Sequence, residues 1–115
     1  MSLVNVQILH RGKPLLSNAH RAETLGSRMQ GLLGTRTLDG GLIIPKCRQV
    51  HTFFMHYAID VVFLDAKNSI VKVQTLAPWR FSAWVARAAS VLELPAGFAH
   101  AHELRVGESL EVRSA

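Results

Sequence analysis

Apolar and polar residues alternate along much of the chain, and this alternation predicts short β-strands. At the N-terminus Val4, Val6 and Ile8 stand at every second position, a period that is typical of a half-buried strand. The turn sequence RGKP follows at residues 11–14, and the apolar residues 15–16 come directly after it. The chain is therefore expected to begin with a β-hairpin.

Further apolar segments predict the remaining strands. The sequence IDVVFL at residues 59–64 is apolar at both alternating sets of positions except at Asp60, so we expect a sheet that is covered on both faces there. Turn-forming residues separate this segment from its neighbours. The strands predicted after the hairpin are Gly41–Ile44, Val50–Met55, Ile59–Asp65, Ile70–Leu76, Ser90–Leu94 and Ser109–Val112.

Helical patterns are confined to two short segments. Thr24 is a suitable N-cap for a helix over residues 25–33, and residues 98–104 favour a second helix in which Phe98 and His102 would stack at i and i+4. The fold class that follows is mainly β (α+β). We expect a small rolled sheet or barrel of short, mostly antiparallel strands, with a helix plugging one opening. A parallel α/β fold is not favoured, because no helix of about a dozen residues alternates with the strands.

Length and composition narrow the class of protein. A chain of 115 residues is expected to form a single domain, 1–115. Cys47 is the only cysteine, which excludes an intrachain disulfide and any CxxC metal or redox motif. There is no apolar stretch long enough for a transmembrane helix and no visible secretion signal. We therefore expect a cytoplasmic protein by default, and an exported one if a leader has been removed.

The charge balance says little about partners. The chain has 13 Lys and Arg against 8 Asp and Glu, but the basic residues are spread out rather than clustered. This pattern does not favour a nucleic-acid interface. No phosphate-binding loop and no GxSxG or Cys–His nucleophile motif occurs, and no cofactor or metal is predicted.

Three blocks of the sequence resemble one protein family. RMQGLLGTR at residues 28–36 is similar to an R-x-x-G-L-(M/L)-x-x-R block, and HTFFMHYAIDVVFLD at residues 51–65 resembles a central F-W-M-x-N-T-x-I-P-L-D-(I/V)-x-F-(I/L)-D block. VLELPAG at residues 91–97 and VGESL at residues 106–110 resemble the closing segments. In this order the blocks are those of an uncharacterised bacterial and archaeal family, domain of unknown function 192. The resemblance covers nearly the whole chain and implies a compact β-rich domain with no established activity.

The chain departs from the family pattern inside the central block. Phe54 stands where the family usually has Trp, His56 and Tyr57 stand where Asn-Thr is usual, and Val61 follows the aspartate directly. If the family's Asn belongs to a site, that site is altered here. Phe54 and His56 therefore join the predicted ligand-contacting residues, although by hydrophobicity alone Phe53, Phe54 and Met55 would be core residues.

Asp60 is the first candidate for chemistry, because a carboxylate inside an apolar strand must be paired or hydrogen-bonded. Arg28 and Arg36 are its predicted partners, since a guanidinium can grip a carboxylate through two hydrogen bonds. This cluster is either a structural ion pair or the floor of a pocket for a small polar ligand. Glu93 should face the solvent as the neighbour of Leu92 and Leu94; if it faces inward instead, it could join Asp60 as an acid–base pair.

Two functional hypotheses follow. The first is a non-enzymatic module that binds a small ligand at the Arg28/Arg36/Asp60 cluster, or a protein partner at an aromatic segment. That segment, APWRFSAWVARAA at residues 77–89, is predicted as a surface loop whose Trp79, Arg80, Phe81 and Trp84 form a partner surface or fold down over a barrel end. An exposed edge bearing both tryptophans would indicate a homodimer. The alternative is a hydrolase or metal-assisted enzyme that uses Asp60, Glu93 and one or more of His51, His56 and His100.

Overall fold

A single sheet forms most of the molecule. A computed structural model of the chain describes residues 3–22 and 40–114, apart from the side chain of Ser17. Within these residues the strands are β1 (Leu3–His10), β2 (Lys13–Ala22), β3 (Gly41–Pro45), β4 (Ile59–Leu64), β5 (Ile70–Leu76), β6 (Ser90–Pro95) and β7 (Leu110–Ser114), and a short helix, α1, spans Phe98–Ala101. The sheet order is β5-β4-β6-β3-β2-β1-β7. Of the described strands only β2 and β3 pair in parallel; the other neighbours are antiparallel.

The sheet curls into a half-barrel around an apolar interior. Ile70 of the edge strand β5 and Leu110 of the opposite edge strand β7 belong to one buried cluster, together with side chains from every strand between them. The two edges approach each other at one end, where the Ile70 amide donates to the Glu108 carbonyl at 2.7 Å and the Gly107 amide donates to the Ile70 carbonyl at 2.8 Å. α1 packs onto this interior through Ala99.

The outer face of the central strands is also buried. Val61 and Phe63 of β4 point to this face, which is covered by residues 46–57 and 77–89, here called the loop layer. Met55 and Ala88 are buried on the inner side of that layer. Because both faces of β4 are covered, all of its side chains are buried, as the continuous apolar sequence of this strand predicts.

The first hairpin shows how local sequence sets the register. β1 and β2 are joined by Arg11 and Gly12, and His10 pairs with Lys13. Both linking residues have positive φ, 55° and 76°, which is the type I′ geometry that suits the twist of paired strands. Gly12 adopts this conformation without steric cost.

Most of the predicted elements are confirmed, including the mainly β fold class, the antiparallel preference and the stacking of Phe98 on His102 at 3.9 Å. One predicted strand is wrong. Residues 50–55 belong to the loop layer, because Thr52–Met55 forms a tight turn in which the Met55 amide donates to the Thr52 carbonyl at 3.1 Å. The predicted helix over 25–33 lies outside the described residues. No helix in the described ranges has the length and apolar content needed to cross a membrane.

Candidate functional site

Asp60 anchors α1 to the sheet. It is buried, and its carboxylate faces the interior of the half-barrel. The Thr75 hydroxyl donates to Oδ1 at 2.7 Å, and the backbone amide of Ala99 donates to Oδ2 at 2.9 Å. Both oxygens therefore have partners from neighbouring elements, which meets the requirement that a buried carboxylate be hydrogen-bonded. The predicted partners Arg28 and Arg36 lie outside the described residues, so their pairing with Asp60 stays a prediction.

Glu93 corrects the expectation that its side chain faces the solvent. It does point away from Leu92 and Leu94, but that face is covered, and Glu93 is only 4% exposed. It lies opposite Leu42 of β3 and Val61 of β4, and it has no hydrogen-bond partner among the described residues. Desolvation raises the pKa of Glu93 to about 8, so the side chain is mostly protonated at neutral pH.

The structure does not bring Asp60 and Glu93 together. Paired residues on neighbouring strands share a face, and Glu93 pairs with Val61 whereas Asp60 pairs with Leu94. The two carboxyl groups therefore point to opposite faces of the sheet. This geometry removes the acid–base pair on which the enzymatic alternative was built.

The histidines of the enzymatic alternative also lie on opposite sides of the sheet. His51 and His56 are exposed in the loop layer on the outer side of the sheet, and His100 is exposed on α1, which packs on the inner side. Among the described residues no group of three or more His, Cys, Asp or Glu side chains is placed to hold a metal ion.

The exposed side of the loop layer carries a contiguous group of rings, here called the aromatic surface: His51, Phe53, Phe54, Trp79 and Phe81. The ring centroids of Phe54 and Trp79 are 4.7 Å apart, as are those of Phe53 and Phe81. Phe54 is 63% exposed, Trp79 52% and Phe81 61%. The prediction that Phe54 is a core residue is therefore wrong, because the turn at residues 52–55 directs Met55 inward and Phe54 outward.

A buried threonine holds the two halves of the aromatic surface together. The Thr52 amide donates to the Arg80 carbonyl at 2.9 Å, and the Trp79 amide donates to the Thr52 carbonyl at 2.9 Å. The Thr52 hydroxyl donates to the Ala77 carbonyl at 2.5 Å and accepts from the Arg80 amide at 3.1 Å. This hydroxyl bridges the turn that presents Trp79. Thr52 is not among the residues predicted from the sequence; its one signal there is a hydroxyl inside an otherwise apolar and aromatic stretch.

Two rings of the aromatic surface stand on unusual backbone positions. φ is 68° at Phe54 and 62° at Trp79, a region that bulky L-residues rarely adopt. Such positions persist only where surrounding contacts impose them, and they cluster at functional sites. Here the contacts through Thr52 impose them, and both side chains point outward.

The predicted partner surface of Trp79, Arg80, Phe81 and Trp84 is exposed at all four positions. The competing interpretation was a loop folded down over one barrel end. Ser82 and Ala88 from the segment are buried, but Ala88 packs with Val61 and Phe63 on the outer face of the sheet rather than at a barrel end. The segment therefore covers the sheet with its small residues and presents its large rings to solvent. Trp84 makes no ring contact with another described residue, so it stands apart from the aromatic surface.

Solved structures share this fold. A protein of unknown function from Novosphingobium aromaticivorans superposes with a TM-score of 0.78 at 17% identity, over 95% of this chain and 84% of that chain. A proposed transcription regulator from Sinorhizobium meliloti superposes with a TM-score of 0.75 at 22% identity, over 96% of this chain and 94% of that chain. At these identities the likeness establishes the fold alone.

Relatives at the sequence level are proteins of unknown function. A UPF0127 protein of Thermococcus sibiricus is 29% identical over 107 residues, which are 88% of this chain and 70% of that protein. A UPF0127 protein of Pyrococcus abyssi is 40% identical over 62 residues, and this match spans about half of each protein, 54% and 53%. The model of the family DUF192, described as "Uncharacterized ACR", matches residues 6–112. The chain therefore belongs to the uncharacterised family DUF192, as its three sequence blocks predict.

Proposed function

We propose that the protein is a binding module that holds a protein partner against the aromatic surface. The observation that carries this proposal is the exposure of Phe54, Trp79 and Phe81 on turns that hydrogen bonds of the buried Thr52 hold in place. A contiguous exposed apolar patch on a soluble domain is typical of an interaction site. Aromatic residues and arginine, here Arg80 between two of the rings, are also the residue types enriched at the energetic centres of protein interfaces.

The arrangement of the rings favours a protein partner over single-stranded nucleic acid. Nucleic-acid platforms offer flat ring faces on which successive bases stack. In the aromatic surface Phe53 and Trp79 are stacked at an interplanar angle of 26°, but Phe53 meets Phe81 at 65°, Phe54 meets Trp79 at 59°, and His51 meets Phe81 at 79°. Because most of these rings are inclined to one another, they form an uneven apolar surface, which suits the side chains of a polypeptide.

The shape of the aromatic surface does not favour a small ligand either. Small-molecule sites are concave and bury most of the ligand's surface, whereas these rings project from the loop layer. The predicted small-ligand centre at Arg28, Arg36 and Asp60 stays a separate prediction. Asp60 already accepts two protein hydrogen bonds.

The proposal is tested by selecting partners from a phage-displayed library of random peptides. Wild-type protein is the bait, and clones are then assayed against a Phe54→Ser/Trp79→Ser double variant. The control is Val106→Ser, which removes an exposed apolar side chain from the turn before β7. We expect clones that bind wild-type and Val106→Ser protein equally and lose binding to the double variant by more than about tenfold, as for interface anchor residues.

Two further measurements make the selection interpretable. Circular dichroism and amide NMR spectra establish that the double variant is folded. Phe81→Ser serves as a second variant, because it leaves the turn residues Phe54 and Trp79 unchanged. The proposal is wrong if no clone is enriched, or if enriched clones bind the folded variants as well as wild-type protein.

A further inference from the structure

The two segments of the loop layer carry an excess of positive charge. Residues 46–57 and 77–89 contain Lys46, Arg48, Arg80 and Arg87, and neither segment contains an Asp or Glu. Among the described residues, Asp65 is a carboxylate that interacts with this layer through Arg87. Backbone hydrogen bonds from Ser69 and Lys67 lower its pKa, and the charge of Arg87 adds to the effect. Arg87 therefore has a carboxylate of the same chain within electrostatic reach.

Arg48 and Arg80 each donate to a backbone carbonyl, and neither has a carboxylate partner among the described residues. Arg48 Nε donates to the Ala86 carbonyl at 3.2 Å, and Arg80 donates from its guanidinium to the Trp79 carbonyl at 3.2 Å. Neither forms an ion pair with a carboxylate among residues 3–22 and 40–114. Both side chains are exposed, and each has further guanidinium N–H donors that no residue in the described part of the chain accepts from. A guanidinium tied to a backbone carbonyl loses less freedom on binding, which favours charge-assisted contacts.

From this charge distribution we infer that the partner segment seated on the aromatic surface is an acidic polypeptide with apolar anchors, its carboxylates meeting Arg80 and Arg48. The inference rests on the proposed function and adds the chemistry of the partner. Complementary charge at the rim of an interface speeds association and excludes partners of the wrong sign. The rings supply contact area, and the two arginines select an acidic sequence.

The same charges argue against a second copy of this chain as the occupant. In a two-fold symmetric dimer the same patch faces itself, so both copies would bring Arg48 and Arg80 into one interface. No Asp or Glu in either segment could offset the repulsion, and juxtaposed like charges oppose association.

The test uses the peptides that the wild-type protein selects. The tightest clone is synthesised as selected and again with every Asp and Glu replaced by Asn and Gln. Binding of both peptides is measured from the fluorescence of labelled peptide, at low salt and at about 0.5 M salt, where screening is strong. The proteins are wild type, Arg48→Glu/Arg80→Glu, and the control Lys13→Glu, which reverses an exposed charge in the β1–β2 hairpin.

We expect the selected clones to be enriched in Asp and Glu relative to the library. The neutralised peptide should bind at least about tenfold more weakly, and the acidic peptide should lose affinity with added salt. Arg48→Glu/Arg80→Glu should lose the acidic peptide while Lys13→Glu keeps it. The NMR spectrum of each variant establishes that it is folded. If Arg48→Glu/Arg80→Glu still binds the neutralised peptide, its aromatic surface is intact.

Each contrary result points to a different error. Selected clones without an acidic excess, or equal binding of the neutralised peptide, overturn the inference while the proposed function stands. Failure to select any clone overturns the proposed function itself. Tight binding of an oligothymidylate that Phe54→Ser/Trp79→Ser abolishes would assign the surface to nucleic acid. A concentration-dependent dimer in sedimentation that the same variant abolishes would assign it to a second copy.

Discussion

At the scale of single residues, Glu93 is the clearest conflict between side chain and environment. It is an ionisable group 4% exposed between Leu42 and Val61, with no hydrogen-bond partner among the described residues. The alternation of β6 correctly places it opposite Leu92 and Leu94. The expectation of solvent exposure failed because the loop layer covers the outer face, and an irregular cover leaves no periodic signal in the sequence. A buried acid of this kind is a candidate functional group.

This burial makes stability depend on pH in a direction opposite to that of most carboxylates. Desolvation raises the pKa of Glu93 from 4.5 to about 8. Below pH 4.5 both folded and unfolded chains hold the proton, so nothing is lost. As pH rises from 4.5 to 8 the unfolded chain releases the proton and the native state does not, so the free energy of unfolding falls, by an amount on the order of several kcal/mol.

Glu93→Gln should remove this dependence, because an amide of similar size does not titrate. We expect the variant and wild-type protein to have similar stability at pH 4.5, and the variant to be more stable by several kcal/mol near pH 8. Urea unfolding at a series of pH values measures the difference. Glu111→Gln is the control, since Glu111 is exposed on β7. A constant difference between Glu93→Gln and wild type across this range would show that Glu93 is not held protonated.

At the scale of elements, the strands were predictable and the loop layer was not. β1, β4, β5, β6 and β7 follow from alternating or continuous apolar sequence, and Gly12 marks the first hairpin. Residues 50–55 have the same apolar character but form a turn, because the side chain and backbone of Thr52 bond to residues 77–80. Whether residues 50–55 form a strand or a turn therefore depends on groups that lie 25 or more positions away in the chain. Local patterning cannot report such contacts.

The candidate site was predicted only in part for the same reason. Trp79, Arg80 and Phe81 were recognised as an aromatic and basic group in a segment without regular structure. Hydrophobicity predicts Phe53 and Phe54 as core residues, since no local feature distinguishes an outward ring from an inward one, and only the departure from the family pattern adds Phe54 to the predicted ligand contacts. The orientation of these rings follows from the turn at Thr52, which places Met55 on the buried side and Phe54 on the exposed side.

Thr52→Val tests whether this one hydroxyl organises the loop layer. Valine keeps the shape of threonine but leaves the Ala77 carbonyl and the Arg80 amide without their partner. We expect a loss of about 2 kcal/mol in the free energy of unfolding, the usual cost of an unsatisfied buried group. Peptide binding at the aromatic surface should also weaken in the folded variant, because the turn bearing Trp79 is released.

Thr52→Ser is the matched control for this substitution. It retains the hydroxyl and removes one methyl group, so it should lose about 1 kcal/mol or less and bind as wild type does. Both variants are compared by urea unfolding and by the NMR shifts of residues 77–81. Equal behaviour of Thr52→Val and Thr52→Ser would mean that the backbone bonds alone hold the two turns together.

At the scale of the whole molecule, the half-barrel is closed at one end by contacts between its first and last strands and the β4–β5 hairpin. Ser69 pairs with Ser109, and the Leu110 amide donates to the Asn68 carbonyl at 2.9 Å. Glu108 lies at this junction. Its carboxylate bonds to His10 at 3.2 Å, to the Arg11 guanidinium at 2.9 Å and to the Arg105 amide at 3.0 Å. One acidic side chain therefore ties the β1–β2 hairpin to the turn that precedes β7.

The protonation of Glu108 should govern how the closed end responds to acid. Desolvation acts to raise the pKa of this carboxyl group, but hydrogen bonds from His10, the Arg105 amide and Arg11, with the positive charge of Arg11, lower it from 4.5 to about 2. Because the folded value lies below the unfolded one, the stabilising contribution is complete above pH 4.5. It is lost as pH falls from 4.5 to about 2.

Glu108→Gln should therefore be less stable than wild type at pH 6, and the difference should shrink steadily as the pH is lowered from 4.5 to about 2. Thermal unfolding followed by circular dichroism at several pH values measures the stability of both proteins. Glu111→Gln is the control and should parallel wild type, because the Glu111 carboxylate bonds only to the exposed Arg113 among the described residues. Amide exchange at Ile70 and Leu110 locates the effect, since these amides bond across the junction. Faster exchange at both in Glu108→Gln, with exchange in β4 and β6 unchanged, would show that Glu108 closes the half-barrel. Uniformly faster exchange would show instead that it stabilises the sheet as a whole.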